Sequence, residues 1–215
     1  MGYSLSFNIN DKVILAKFDS MKEMNSSLVR IQESYENPDF VGKCFTIEEF
    51  RTHYKNKFGR YSYNSTVEDM NFSGCTLWPF RLGFFNPLSK KEKEFLTRTK
   101  FMTDKHYFIA HAKNSPSGTG QHECSHALYF TVEEYRDKVN DVLLSINLSK
   151  LNQFLYNQEY SDSVLLDEAH AWLLTEWDQL KGESSLNLSE LSQIREYIIE
   201  IYNEHMFIQE WVCLD

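Results

Sequence analysis

The segment that most constrains this chain is 164–177, whose residues are apolar around most of a helical circumference. Such a helix is stable in water only inside a core, so the fold must wrap other elements around it. Yet Asp167, Glu168 and His170 interrupt the apolar surface. An ionised side chain in that setting is costly unless a counter-charge or a metal ion compensates it. The chain must therefore bring compensating groups to this helix from elsewhere.

One candidate source stands out. His122-Glu123-Cys124-Ser125-His126 reads HExxH. On a helix, positions i and i+4 lie on one face about one turn apart. Two imidazoles so placed can both reach one Zn²⁺ at about 2.0–2.1 Å. Glu123 sits one step round the helix, where its carboxylate can take a proton from water activated by the metal. The flanks suit a buried metal helix. Gly118 and Gly120 open it after the turn 114–120, and Cys124, Ala127, Leu128 and Thr131 form a small, apolar opposite face.

The pentapeptide resembles the signature of the zincin superfamily of zinc metallopeptidases. The metzincin branch continues with Gly three residues after the second His and a further His three beyond. Here those positions hold Tyr129 and Val132, which excludes that branch. The gluzincin branch takes its third ligand from a Glu on a later helix, and Leu165-Leu166-Asp167-Glu168-Ala169-His170-Ala171-Trp172 resembles that helix. The resemblance implies Zn²⁺ held by His122, His126 and Glu168, with Glu123 as general base. It also implies a protein or peptide substrate, and a sheet beside the HExxH helix with 107–112 as an edge strand that receives extended substrate by β-addition. The cost of burying Glu168 supports its assignment separately. His170 is the rival third ligand, and Asp167 with His170, at i and i+3, forms a candidate pair for orienting a ligand. Two other readings stand beside the peptidase. One is a zinc amidase or deamidase acting on non-peptide substrates, and the other a non-catalytic interaction domain with a vestigial or structural metal.

The remaining pattern predicts an α+β, helix-rich, zincin-like fold. Short β-branched or aromatic runs at 13–18 and 107–112 read as strands, and helices are expected at 20–36 (closed by Pro38) and after Thr46. Further helices are expected at 89–100, from 119 or 120 to 130, at 132–146 capped by Thr131, and at 148–156, 164–177 and 188–211. The stretch 59–88 reads as irregular but packed, because WPFRLGFF is too apolar for a solvated linker. One domain, 1–215, is expected, with an N-terminal portion spanning 1–100 and a zinc-binding catalytic portion spanning 101–215.

Composition narrows the function classes. The chain has 215 residues, of which 42% are hydrophobic and 15% aromatic, enough for a sizeable core. A net charge of −9 opposes a nucleic-acid partner, which would need a basic field. No run of 18 apolar residues suggests a membrane span. Cysteines 44, 75, 124 and 213 form no CxxC pair and read as free thiols, and no Sec-type leader is evident, so a cytoplasmic location is expected. MGYSLS fits the short N-myristoylation pattern through Gly2 and Ser6. The segment 164–170 also looks like a DEAH box, and SPSGTGQ like a phosphate loop. Gln121 and His122 follow Gly120 where a phosphate loop needs Lys and a hydroxyl. His205 on the last helix and His111 on a strand are expected to be structural, with substrate or transition-state contacts as alternatives. Tyr129 and Tyr160 are expected to pack, with oxyanion donation as the alternative.

Overall fold

Four short runs within residues 3–112 pair into one sheet. The computed structural model describes residues 3–8, 12–59, 69–113 and 119–206. The chain divides into two compact units, Met1–Thr119 and Gly120–Asp215.

The first unit holds strands β1 (Tyr3–Asn8), β2 (Val13–Phe18), β3 (Asp69–Ser73) and β4 (Tyr107–Ala112), in the order β1-β2-β4-β3. β2 and β4 are buried at nearly every residue, as expected of central strands covered on both faces. They pair in parallel, with Val13 opposite Tyr107 and Phe18 opposite Ala112. β1 and β3 flank them in antiparallel register. Helix α1 (Met21–Glu36) starts where the Ser20 hydroxyl accepts from the Glu23 N–H, and ends at Asn37, which precedes Pro38 and turns extended. Helix α2 (Ile47–Phe58) carries a capping box between Thr46 and Glu49, and stops at Gly59 with φ 67°. The short α3 (Leu77–Arg81) leads to α4 (Lys90–Arg98), capped reciprocally by Ser89 and Glu92. Glu92 also accepts both arms of the buried Arg30 guanidinium, at 2.7 and 2.9 Å. The remaining Arg30 hydrogen bonds go to the carbonyls of Phe45 and Phe85, so the buried pair is fully coordinated. Around it lies an aromatic core in which Phe72 stacks on Phe108 and Phe95 meets Phe108 edge-on.

The second unit is helical. It comprises α5 (Thr119–Thr131), α6 (Glu133–Leu143), α7 (Ser149–Asn157), α8 (Leu165–Thr175), α9 (Trp177–Lys181) and α10 (Leu188–Met206). α8 packs against α6, α7 and α10. Its Leu165, Ala169, Trp172 and Leu173 join Leu128, Tyr135, Val139, Leu155, Ile194 and Ile198 in the core. Leu165–Thr175 is thus the enclosed helix that the composition of this segment demands. Among the described residues, no helix is long and apolar enough to cross a membrane.

The α+β, helix-rich class holds, and several expectations need correction. The two compact units meet at 119/120, and β4 is bonded on both sides into the first unit's sheet. For the same reason β4 is a central strand, with no free edge to receive an extended substrate. Within 59–88, Asp69–Ser73 is a strand and Leu77–Arg81 a helix, while 60–68 lie outside the described residues. Thr131 does not cap the next helix. It is the last residue of α5, and its hydroxyl turns back to the Ala127 carbonyl. The apolar helix breaks at Glu176, and α10 is described to Met206. Gly2, Gly118, the bulk of the turn 114–120, Cys213 and the end of 188–211 lie outside the described residues.

Candidate metal centre

Two helices of the second unit build the site. α5 carries His122, Glu123 and His126, and the one-turn spacing sets the two imidazole rings 4.8 Å apart, centre to centre. α8 carries Asp167, Glu168, His170 and Thr175. One ligand atom from each of His122, His126 and Glu168 lies within 4.8 Å of the others. His126 Nε2 is 3.6 Å and His122 Nε2 3.9 Å from the Glu168 carboxylate oxygens. Those distances are too long for hydrogen bonds. An ion held by all three residues would draw these atoms closer together.

Both imidazoles are oriented from behind. His126 Nδ1 lies 2.8 Å from Asp167 Oδ1, and a carboxylate can only accept, so Nδ1 carries the proton and Nε2 faces Glu168. His122 Nδ1 lies 2.9 Å from Thr175 Oγ1. His126 Nε2 and Glu168 Oε2 are buried without a hydrogen-bond partner. Buried polar atoms are rarely left so, and a cation between them would satisfy both. The donor set, two imidazoles and one carboxylate, suits zinc with a position left open.

The electrostatics agree with a site built for positive charge. Burial raises the Glu168 carboxyl and His126 pulls it back, but the neighbouring Asp167 and Glu123 carboxylates push it up to about 8. Burial lowers His126, yet Asp167 and Glu168 outweigh it and raise the imidazole to about 10. Two protons therefore stay on this cluster near neutral pH, where a divalent cation would relieve the same negative charge. Glu123 is itself buried, and its charge is felt by both His126 and Glu168.

Other residues singled out from the sequence occupy different places. His170 turns Nδ1 to the Asp167 carbonyl at 2.5 Å and stacks on Tyr129 at 5.0 Å, away from the three converging atoms. Burial, over the opposing pull of Asp167, drives it down to about 4, so it sits neutral in the core. The Tyr129 hydroxyl donates to Asn140 Oδ1. The Tyr160 hydroxyl hydrogen-bonds the Glu168 carboxylate and so borders the cluster. His205 is buried, donates from Nδ1 to the Ile201 carbonyl at 2.8 Å and meets Tyr135 edge-on. His111 lies half-buried on β4 in the first unit, and Cys124 is half-buried on α5. Thr175 was not anticipated. Its signal was available, because it lies two turns beyond Glu168 on the same face of α8.

Comparison with protein-family models, curated proteins and solved structures finds no match to this chain. The functional reading therefore rests on the residues of this site.

Proposed function

We propose that the chain is a zinc-dependent hydrolase, and within that class a metallopeptidase. The observation that carries the proposal is the convergence of His122, His126 and Glu168 with a buried glutamate, Glu123, beside them. Bound zinc would polarise the scissile carbonyl and acidify a water molecule. Glu123 accepts the proton of the attacking water and passes it to the leaving amine nitrogen. Asp167 holds His126 in the tautomer that keeps Nε2 toward the site. Burial of Glu123, His126 and Glu168 excludes bulk water and strengthens every charge interaction among them. Since β4 is enclosed on both sides, an extended peptide is not held by adding to that strand.

The test combines metal analysis with a peptide-library cleavage screen on full-length protein prepared without chelator. Stoichiometric zinc that is lost in His126→Ala is expected, as is cleavage that falls by about 10²-fold or more in Glu123→Gln while zinc is retained. Wild-type protein without stoichiometric zinc would sink the proposal. An active Glu123→Gln would remove Glu123 from the role of base.

A further inference from the structure

The two histidine arms of the site are anchored by different chemistry. Behind His126 stands the Asp167 carboxylate. Behind His122 stands one neutral hydroxyl, Thr175 Oγ1, at 2.9 Å from Nδ1. A hydroxyl can donate or accept, so the contact alone does not fix the ring. The local backbone does. Thr175 Oγ1 also lies 2.9 Å from the Ala171 carbonyl, which only accepts, so the single hydroxyl proton is committed there. Thr175 can then only accept from His122, whose Nδ1 must carry the proton and whose Nε2 is left bare, 3.9 Å from Glu168 Oε2.

The position of the hydroxyl is itself secured. Thr175 is the last residue of α8, and the Arg195 guanidinium of α10 donates to the nearby Leu173 carbonyl at 2.8 Å. That bond satisfies one of the carbonyls that a helix leaves open at its end. The same guanidinium lies over the Trp177 ring, just beyond the break at Glu176. The end of α8 is thus held in place from both sides of the break.

We propose that Thr175 is a positioning residue of the metal centre, which holds His122 in the Nδ1–H form and presents its Nε2 to the ion. The inference rests on the metal-centre reading above. It predicts that Thr175→Val, which keeps the shape and removes the acceptor, weakens zinc affinity about tenfold. Thr175→Ser, which keeps the hydroxyl, restores it. The test is competitive titration of the full chain with zinc, alongside cobalt spectra that report the coordination of the two variants. Nitrogen-15 NMR of the metal-free wild type reads the His122 tautomer directly, so the proposal stays testable should Thr175→Val fail to fold. An Nδ1–H signal is expected for His122. An Nε2–H form of His122 overturns the proposal, as does wild-type affinity in Thr175→Val or a Thr175→Ser variant as weak as Thr175→Val. A wild-type chain that takes up neither metal overturns the metal-centre reading itself, a result distinct from normal binding that is indifferent to residue 175.

Discussion

Replacing Glu168 with Gln separates two effects of one carboxylate. Glu168 is 4% exposed, and its carboxyl stands at about 8 against an ordinary 4.5. Because the folded-state value is raised, the folded protein keeps a proton that the unfolded chain has already released between pH 4.5 and 8. Stability is therefore full below pH 4.5 and falls as pH rises through about 8. The slope is about 1.4 kcal/mol per pH unit, which amounts to roughly 3 kcal/mol at pH 7 and a ceiling of about 5 kcal/mol above pH 8. Gln carries no such proton, although burying its amide costs about 1–2 kcal/mol in return. In the presence of chelator, Glu168→Gln should therefore gain on the wild type as pH rises from 5 to 7, with part of the gain offset because Glu168 also helps His126 keep its proton. Zinc should favour the wild type instead. At a thousandfold excess over Kd, the ion adds about 4 kcal/mol to the wild type, and far less to a variant short of its anionic ligand. Urea unfolding followed by circular dichroism, with EDTA or zinc, at pH 5 and pH 7, reads all four conditions. A Glu168→Gln variant that is destabilised equally with and without zinc, at both pH values, would refute the reasoning. Glu168 would then be half of a favourable structural pair, not a ligand kept at a cost to the fold.

Two further outcomes are expected. Zinc affinity should rise with pH between 6 and 8, because Glu168 at about 8 and His126 at about 10 must give up protons to bind the ion. Calorimetry in buffers of different ionisation enthalpy should show proton release on binding, and pH-independent affinity without proton release would contradict the assignment. In the first unit, Gly74→Ala would place a Cβ 1.9 Å from the Thr103 carbonyl oxygen, where the Gly74 N–H already donates to His106 O at 2.7 Å. A loss of about 3 kcal/mol or more is expected in urea unfolding, and a loss under about 0.5 kcal/mol would show that this turn yields freely.

What could be read from the sequence follows the range of the forces involved. The pairing of His122 with His126 is a property of one helical turn, and so is legible in five residues. Glu168 is legible for a different reason, since a carboxylate among Leu165, Leu166, Ala169 and Trp172 is an energetic anomaly wherever the chain goes. The caps at Ser20, Thr46 and Ser89 are equally local, and they mark the starts of α1, α2 and α4. By contrast, Asp69–Ser73 alternates only two buried apolar residues, Met70 and Phe72, with polar ones, too short a run to mark a strand by itself. Its backbone is recruited by β4, and its Asn71 N–H is taken by Gln32 of α1, 39 residues away. Thr131 shows the same limit from the other side. A hydroxyl at a helix boundary can cap the next helix or return to its own, and only the packed structure decides which.

The placement of β4 carries a sharper lesson about function. YFIAHA is apolar without alternation, the mark of a strand covered on both faces, so the run itself argued against an exposed edge. The expectation of an edge came from the resemblance, not from the residues. The metal cluster differs in this respect. Asp167, Glu168 and His170 are out of place in a buried helix whatever the family, and the structure places each differently. Asp167 meets His126, Glu168 faces the Nε2 atoms of His122 and His126, and His170 is neutral against Tyr129. Of the two carboxylates, only Glu168 keeps a buried oxygen with no partner. A buried carboxylate oxygen left short of a partner beside the Nε2 atoms of two histidines is the place where the hydrolase proposal would put its cation.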